Sequence, residues 1–469
     1  MKFPLTATVL VLTIWLIASP NSSCSARRAV PDDFDLFDYG AVHHNTPTDD
    51  EGFSQEAFRE GWETESTTRD SFNRANAQTE EYDPQQAFLE AWEAKTNTFN
   101  VVDYGAVGNG LVDDTKAFLK AWGAMCASST QGTLTLVVPK GKRFLLNAVA
   151  FEGPCRASNV NFQIQGSIVA PNNIGAWTNK EMWIHFSDVQ GLSVNGGGRI
   201  DGNGAVWWKA CGSSKDCQRP TALHFNKCHG FQLSRLAIFN SPKNHISICG
   251  CNGPRVFGLL IWAPKDSPNT DGIDISRSTR VTIQSSHIAT GDDCIAINSG
   301  SSYIKIRDIK CGPGHGISIG SLGEHGEYSQ VEEVQVSNCT FKGTTNGVRI
   351  KTWEGGSGYA RKITFEGITF EDTKNPIIID QHYFDKRPSS ATDISKSVQV
   401  SDVTYRNING TCTDEKAITL ACAGGGCTNI VMNNVSIKSD LPNKRSYAYC
   451  DNAHGTSSFS LPSVPCLSH

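Results

Sequence analysis

The sequence predicts an all-β chain folded as a single right-handed parallel β-helix with a helical cap at its N-terminal end. Short strands with alternating apolar residues recur between residues 222 and 420, and their first large apolar residues are 23, 27, 22, 22, 31, 29 and 41 residues apart. A minimum near 22 with longer excursions fits a coil of three short strands whose insertions are confined to turns. A β-sandwich also has short strands, but it does not keep this register over so many turns.

A second repeat, with a period of 30 residues, lies near the N-terminus. Residues 57–62, 87–92 and 117–122 share the pattern Ala-Phe-x-x-x-Trp, and the Asp-Tyr-Gly-Ala-Val of 38–42 returns at 103–107. The third copy is predicted to form an amphipathic helix that covers the open end of the sheet stack. The earlier copies are imperfect duplicates of this cap. They are interpreted either as an inert spacer or as part of a segment that restrains the following domain until it is removed.

Charge and hydropathy divide the chain into three parts. Residues 1–26 have a lysine, a short apolar run and small polar residues, as a secretory signal peptide does, and the run is too short to span a bilayer. Residues 27–98 hold 17 acidic and 6 basic residues, a net charge of −11, whereas 99–469 carry +5. We therefore expect a poorly ordered acidic prosegment over 27–98 and the β-helix domain over 99–469.

The cysteine content supports export. An exported chain with sixteen cysteines should carry disulfides, and loss of Cys24 with the signal leaves an odd number, so at least one thiol is free or buried. Three sequons are typical of a secreted glycoprotein. The local pairs expected to be bridged are Cys211/Cys217, Cys422/Cys427 and Cys450/Cys466, and the sequons begin at Asn338, Asn409 and Asn434.

Charged residues share a register along the predicted coils. Asp271, Asp293 and His315 each stand two residues before the first isoleucine of consecutive strands, so they occupy adjacent rungs about 4.8 Å apart. Arg349 and Lys351 follow on the next strand and point to one face. Each aspartate alone could be an ordinary turn residue. Together they predict a wall that carries carboxylates, an imidazole and two cations.

This combination suits the hydrolysis of an acidic polysaccharide. Carboxylates so close together repel, so at least one should keep its proton to a higher pH than usual. In inverting glycoside hydrolysis one carboxylic acid protonates the leaving oxygen while another carboxylate, roughly 6.5 to 9.5 Å away, activates water. Asp292, next to Asp293, can serve as the acid, and Arg349 and Lys351 can pair with a sugar carboxylate. The glycines around His315 are expected to permit close approach of a ligand.

Four motifs resemble those of the polygalacturonases of glycoside hydrolase family 28, especially the plant branch. They are Ser-Pro-Asn-Thr-Asp-Gly at 267–272, Gly-Asp-Asp-Cys at 291–294, Cys-Gly-Pro-Gly-His-Gly at 311–316 and Arg-Ile-Lys at 349–351. The resemblance covers about residues 99–469 and does not extend to the acidic segment.

The resemblance implies a role for each matching residue. Asp292 would be the general acid, while Asp271 and Asp293 would hold and deprotonate the attacking water. His315 would tune the proton of the acid, and Asn269 would help to shape the site. The residues that would bind galacturonate at the cleavage point are Arg349, Lys351 and Tyr383.

The sequence departs from the family at one loop. Plant relatives usually have a cysteine directly after that tyrosine, whereas here Phe384 follows and no cysteine lies between Cys339 and Cys412. A loop near the cleft therefore lacks the disulfide bond that is usual in the family. Trp353 could stack on a sugar or close the core, and Trp207 and Trp208 are expected to pack.

We therefore expect a secreted, extracellular or cell-wall polygalacturonase that binds pectin (homogalacturonan) and cleaves its α-1,4-galacturonosyl linkages with inversion. The run 351–360 is similar to that of endo-acting plant relatives. A monomer without cofactor, metal, nucleic-acid or membrane partner is expected. The alternatives are exo action, a related rhamnogalacturonan or xylogalacturonan hydrolase, a calcium-dependent pectate lyase that cleaves by β-elimination, and a non-catalytic pectin-binding wall protein.

Overall fold

The computed structural model describes residues 97–212, 214, 217–383 and 396–468. The predicted signal peptide and nearly all of the acidic segment, with its two earlier copies of the cap repeat, lie outside the described residues. The loop that begins at Phe384 also lies outside them. The division of the chain at residue 98 thus stays a prediction.

Two parallel sheets, whose strands are numbered β1 to β31 in chain order, form a right-handed β-helix. This confirms the predicted fold class. The eleven-stranded sheet, which we call the site sheet, contains β5 (Val149–Glu152), β8 (Met182–Ser187), β11 (Thr221–Asn226), β14 (Ile246–Cys249), β17 (Ile273–Ser276), β19 (Ile295–Ile297), β21 (Ile317–Leu322), β24 (Asn346–Trp353), β26 (Asn375–Tyr383), β28 (Lys416–Ala421) and β30 (Tyr447–Asp451).

The second sheet has twenty strands and forms the remaining walls of the coil. Its strands are β1 (Thr98–Asn100), β2 (Asn109–Asp113), β3 (Leu134–Val138), β4 (Arg143–Leu145), β6 (Val160–Ile164), β7 (Ser167–Val169), β9 (Leu192–Asn195), β10 (Arg199–Asp201), β12 (Gln232–Ser234), β13 (Ala237–Phe239), β15 (Arg255–Phe257), β16 (Leu260–Trp262), β18 (Thr282–Ala289), β20 (Ser301–Cys311), β22 (Tyr328–Ser337), β23 (Thr340–Lys342), β25 (Ser357–Thr373), β27 (Gln399–Cys412), β29 (Cys427–Ser439) and β31 (Ala453–Leu461).

The rungs of the site sheet have the predicted register. Ile273 pairs with Ile295 and Ile295 with Ile317, each 22 residues further along the chain. The longer sequence spacings also keep this register, because Ile317 pairs with Val348 and Val348 with Ile377. These residues point inward and are fully or almost fully buried, so the apolar positions of successive coils stack into one continuous core.

Long strands of the second sheet bend where one residue adopts a left-handed backbone conformation. Ser285 in β18 and Asp308 in β20 have φ values of 48° and 56°. Asn407 in β27 and Asn434 in β29 also adopt this left-handed conformation. Asparagine tolerates it better than most residues do. A single left-handed residue thus turns the chain from one wall to the next without breaking the ladder.

Helix α1 (Thr115–Ala127) closes the N-terminal end of the coil, as the repeat predicts. Phe118 and Trp122 on its inner face are buried and contact rings of the first coils, among them Phe144 and Phe151. A second helix, α2 (Ala205–Cys211), precedes β11. The short 3₁₀ turns are Val101–Tyr104, Ile174–Ala176 and Glu324–Gly326. No helix among the described residues is long and apolar enough to cross a membrane.

The three predicted local disulfides are present, and four cysteines among the described residues are buried and free, which agrees with the expectation of at least one such thiol. Two further bridges between described residues were not anticipated. Cys126–Cys155 joins the end of α1 to a loop of the first coils, and Cys294–Cys311 links two consecutive coils beside Asp293. The asparagines of the three sequons are exposed, and their glycosylation stays a prediction. The unpaired cysteines are Cys228, Cys251, Cys339 and Cys412.

The cap helix offers a direct test of its role. Replacing Phe118, which is fully buried, by alanine should lower the free energy of unfolding by about 3–5 kcal/mol, because it opens a cavity beneath the cap. The adjacent Leu119 is 42% exposed, so Leu119→Ala should change it by less than about 0.5 kcal/mol. Chemical denaturation followed by tryptophan fluorescence measures both. Equal losses in the two variants would show that α1 does not seal the core.

Candidate active site

The predicted site residues converge on the outer side of the site sheet, near the N-terminal ends of β17, β19 and β21. Asp271, Asp292 and Asp293 lie in the turns that lead into β17 and β19, and His315 lies in the turn before β21. Backbone hydrogen bonds connect the turns: the Gly272 amide donates to the Asp293 carbonyl at 2.9 Å and the His315 amide to the Asp292 carbonyl at 2.9 Å. The sheet ladder therefore extends into the turns and fixes the three carboxylates relative to one another.

Asp293 is the centre of this arrangement. Its side chain is fully buried and accepts hydrogen bonds from Arg349 Nη2 and Ser318 Oγ on one carboxylate oxygen, at 3.0 and 2.9 Å, and from Lys351 Nζ on the other, at 3.0 Å. The Arg349 Nε also donates to Ser318 Oγ at 3.0 Å. A buried carboxylate requires such compensation, because an isolated charge inside a protein is costly. The predicted cations are thus ion-paired with Asp293.

Asp292 forms an ion pair with His315. The distance from His315 Nδ1 to Asp292 Oδ1 is 3.0 Å. Burial alone would raise the pKa of Asp292, but the charge and hydrogen bond of His315, together with Lys351 and the Asp293 amide, outweigh burial and hold that pKa below its usual value. Burial lowers the pKa of His315, but Asp292 and Asp293 raise it further, so it lies above the usual 6.5. The proton of this pair therefore resides on the imidazole.

Burial favours the protonated form of two other carboxyl groups. Burial, reinforced by the charge of Asp292, raises the pKa of Asp271 well above its usual value. Burial also raises the pKa of Asp274 to about 7, with Lys243 opposing it and Asp293 and Asp292 adding to it. The expected repulsion is present, but it acts on Asp271 and Asp274. The predicted acid, Asp292, has instead a lowered pKa, because its contact with His315, which sequence spacing did not reveal, outweighs burial.

The glycines of the motifs serve the packing of the coils. A Cβ atom on Gly316 would lie 2.1 Å from the Gly347 carbonyl oxygen, and one on Gly291 would lie 2.1 Å from the Ser267 carbonyl oxygen. Both approaches are to the backbone of a neighbouring coil. The glycine next to His315 therefore permits close stacking of the rungs, and the expectation that the glycines around His315 permit close approach of a ligand stays a prediction.

Asn269 connects the site to a cation that the sequence did not reveal. Its amide Nδ2 is 3.4 Å from Asp292 Oδ2, and its Oδ1 accepts a hydrogen bond from Arg219. Arg219 also donates to the Pro268 carbonyl at 2.6 Å and is close enough to Asp271 and Asp292 for their charges to act on it. Arg219 therefore positions Asn269 and balances the carboxylates from the side opposite Lys351.

Tyr383 and Trp353 lie beside Lys351. The Lys351 ammonium is 5.5 Å from the centre of the Tyr383 ring, and the rings of Tyr383 and Trp353 are perpendicular, with centroids 5.7 Å apart. Both rings are almost fully buried, yet neither belongs to the main apolar core, which favours a position at the cleft for Trp353. Trp207 does belong to that core, as predicted.

The residues can also be tested against a metal ion. Ligand atoms of Asp292, Asp293 and His315 lie within 4.8 Å of one another, which is close enough for a shared cation. Arg349 and Lys351 donate to both oxygens of Asp293, however, and His315 carries the proton that it shares with Asp292. Two fixed positive charges and an imidazolium oppose a further cation at this position. The donor set does not fit a metal.

Among the residues that sequence reasoning missed, Ser318 had a detectable signal. It is three residues beyond His315 and aligns with Arg349 on the next rung, so the register places it in the same column. Arg219 had no such signal, because it reaches the site from a segment 50 residues before Asn269.

A coil with paired carboxylates, an imidazolium and adjacent cations on one outer wall is the arrangement of a glycoside hydrolase that acts on acidic sugars. The chain matches Glycosyl hydrolases family 28 over residues 126–460 and belongs to that family. It is therefore a glycoside hydrolase.

Relatives and solved structures agree with this membership. A probable polygalacturonase of Arabidopsis thaliana is 47% identical over 73% of this chain and 75% of its own length. A polygalacturonase of Malus domestica is 44% identical over 67% of this chain and 69% of its own length. The crystal structure of an endo-xylogalacturonan hydrolase from Aspergillus tubingensis is 26% identical, with a TM-score of 0.68 over 79% of this chain and all of that one.

Replacing His315 by glutamine tests the proton of the Asp292–His315 pair. The raised pKa of His315 keeps the pair protonated at and above pH 6.5, and protonation is lost as the pH rises through that pKa. In the variant the remaining acid is a carboxyl group, so the alkaline limb of the kcat/KM profile should move to lower pH and kcat should fall roughly 10² to 10⁴-fold. The control is His229→Gln, an exposed histidine outside this site. Superimposable profiles for the native chain and the variant would contradict this assignment.

Proposed function

We propose that this chain is a polygalacturonase that hydrolyses the α-1,4-galacturonosyl linkages of polygalacturonic acid with inversion. The observation that carries the proposal is the contact set of Asp293, a buried carboxylate held by Arg349 and Lys351 beside the Asp292–His315 ion pair. Membership in the family and the polygalacturonases among its relatives support the same activity.

The Asp292–His315 pair supplies the proton for the leaving group. The proton passes first from His315 to Asp292 through the 3.0 Å contact between Nδ1 and Oδ1. When the bond between the anomeric carbon and the glycosidic oxygen breaks, the electron pair stays on that oxygen, which takes this proton from the carboxyl of Asp292. Sharing a proton in this way allows a carboxyl with a lowered pKa to act as an acid, because the imidazolium supplies a proton near neutral pH.

Asp293 and Asp271 flank the water that attacks the anomeric carbon. One hydrogen of this water becomes the hydroxyl of the new reducing end, and the other passes to a carboxylate. Asp293 is assigned as the base because Arg349 and Lys351 hold its carboxylate at a fixed position in two ion pairs, whereas burial raises the pKa of Asp271. Asp271 then orients the water as a hydrogen-bond donor or acceptor.

The charge balance selects an acidic substrate. Arg349 and Lys351 bring two positive charges to one carboxylate, Asp293, so their immediate surroundings keep an excess positive charge that a sugar carboxylate can neutralise. Tyr383 lies against Lys351 and is the neighbouring surface for that sugar ring. This favours unbranched galacturonate over the neutral or branched substrates of related hydrolases.

The sequence of residues 351–360 favours cleavage within the polysaccharide over the release of sugars from its end. The signal-like residues 1–26 favour secretion to the cell wall, where pectin is the substrate, and the enzyme acts as a monomer.

A pectate lyase would require calcium beside the carboxylates, and the ion-paired state of Asp293 opposes that reaction.

Reducing-end release from polygalacturonic acid with a calcium chelator present measures the proposed activity. Asp292→Asn should lower kcat at least about 10²-fold, because the leaving oxygen loses its proton donor. Asp308→Asn, at an exposed position outside the site, should leave kcat unchanged. Unsaturated products, or release that appears only with calcium, would indicate elimination instead. Binding of pectin without any release would indicate a non-catalytic wall protein.

The acidic segment 27–98 is proposed to restrain the basic domain that follows it. Its net charge of −11 opposes the +5 of residues 99–469, and such attraction weakens as salt screens it. A specific protease site inserted near residue 98 of the full secreted chain allows the same preparation to be assayed before and after cleavage. Activity should rise on cleavage at low salt and rise less at high salt. Equal activity at both stages would favour the inert spacer.

A further inference from the structure

A column of polar side chains continues from the active site towards the N-terminal end of the coil. On the outer face of the site sheet, His185 pairs in register with His224, His224 with Ser247 and Ser247 with Asp274. The same column continues in the other direction, through β19 and β21, to Arg349. The outer wall that carries the catalytic groups therefore carries two histidines further along.

Several polar atoms in this column have no hydrogen-bond partner within the part of the chain that the structure describes. They are His185 Nδ1, His224 Nε2 and Asp274 Oδ1. His224 is only 2% exposed, and its ring centroid is 4.9 Å from that of the half-buried His185. A buried polar atom without a partner costs roughly 1–3 kcal/mol. Three such atoms on one wall point to a ligand that satisfies them.

Core packing does not account for the histidine pair. The inward residues of the same two strands, such as Phe186 and Leu223, fill the apolar core, whereas the histidines alternate with them and lie on the opposite face. The burial of His224 also does not distinguish it from the residues of the active site, because Asp293 and Lys351 are buried to the same extent.

Burial favours the neutral form of both histidines. Burial lowers the pKa of His224 to about 3, and His185 reinforces that effect. Burial also lowers the pKa of His185, against the opposing charges of Glu152 and Asp188. A neutral imidazole offers one N–H donor and one acceptor. This matches the hydroxyl groups of a sugar, and the donor also suits its carboxylate.

We propose that His185 and His224 form a subsite for a distal sugar residue of the galacturonate chain, on the opposite side of the cleavage point from Arg349 and Lys351. The proposal rests on the polygalacturonase function proposed above. Rungs are about 4.8 Å apart, so His224 lies about 10 Å and His185 about 14 Å from Asp274 along the coil axis. Only a substrate long enough to extend over Ser247 and Asp274 reaches the pair.

The experiment is a chain-length series of galacturonate oligomers, from the shortest that is cleaved to the octamer, with the full secreted chain as enzyme. In the native chain kcat/KM should rise with length until the oligomer reaches the histidines. His185→Gln and His224→Gln should each abolish that last rise, lowering kcat/KM for the octamer roughly tenfold, equivalent to about 1.4 kcal/mol. Both variants should leave the value for the shortest oligomer unchanged.

His454→Gln, at an exposed position on β31, is the matched control. A loss equal at all lengths, accompanied by a lower Tm, would reduce the histidines to a structural role and overturn the subsite. An unchanged length profile would overturn it as well. If the native chain cleaves no oligomer even after its acidic segment has been removed by cleavage near residue 98, the proposed function itself fails, which is a different outcome.

A second measurement covers the case in which His224→Gln does not fold. The kinetic test is then made with the variant of the half-buried His185 alone. In addition, the NMR resonances of the imidazole nitrogens are recorded in the Asp292→Asn chain, which should bind oligomers without cleaving them. Adding the octamer should shift the signals of His185 and His224, and adding the dimer should not. Unshifted signals with the octamer bound would contradict the subsite.

Discussion

Parallel hydrogen bonding between successive coils is the constraint on which the rest of this structure depends. It fixes the spacing of the rungs at about 4.8 Å, whatever length of chain separates them. Lys351 and Asp293 are 58 residues apart in sequence, and their side chains meet at 3.0 Å. Glycines such as Gly316 allow neighbouring coils to approach this closely, because a Cβ there would collide with the next backbone. The chemistry of the site is a consequence of this stacking.

The stacked carboxylates do not behave alike, because each has different neighbours. Asp293 is neutralised by two cations, Asp292 by an imidazolium, and Asp271 has only burial and like charges around it. Burial and like charges therefore favour the protonated form of Asp271, whereas His315 favours the ionised form of Asp292. A hydrolase that must both give and take a proton needs this separation of states.

The sequence predicted the coil, its cap and the register of the charged residues, because each depends on a regular spacing that survives insertions in the turns. It did not predict which carboxyl keeps its proton, since the pKa of Asp292 is decided by a single contact with His315. Arg219 was also missed, because a guanidinium that reaches in from another turn obeys no repeat. The Cys294–Cys311 bridge was also missed, because cysteine spacing alone does not give disulfide connectivity.

In the proposed mechanism these carboxylates act on opposite faces of the sugar, and water attacks directly at the anomeric carbon. Proton NMR of the first product released from polygalacturonic acid, recorded before mutarotation, tests this mechanism. The new reducing end should appear first as the β anomer, because a single displacement inverts an α linkage. Initial formation of the α anomer would indicate a double displacement through a covalent intermediate and would contradict the roles assigned to Asp271, Asp292 and Asp293.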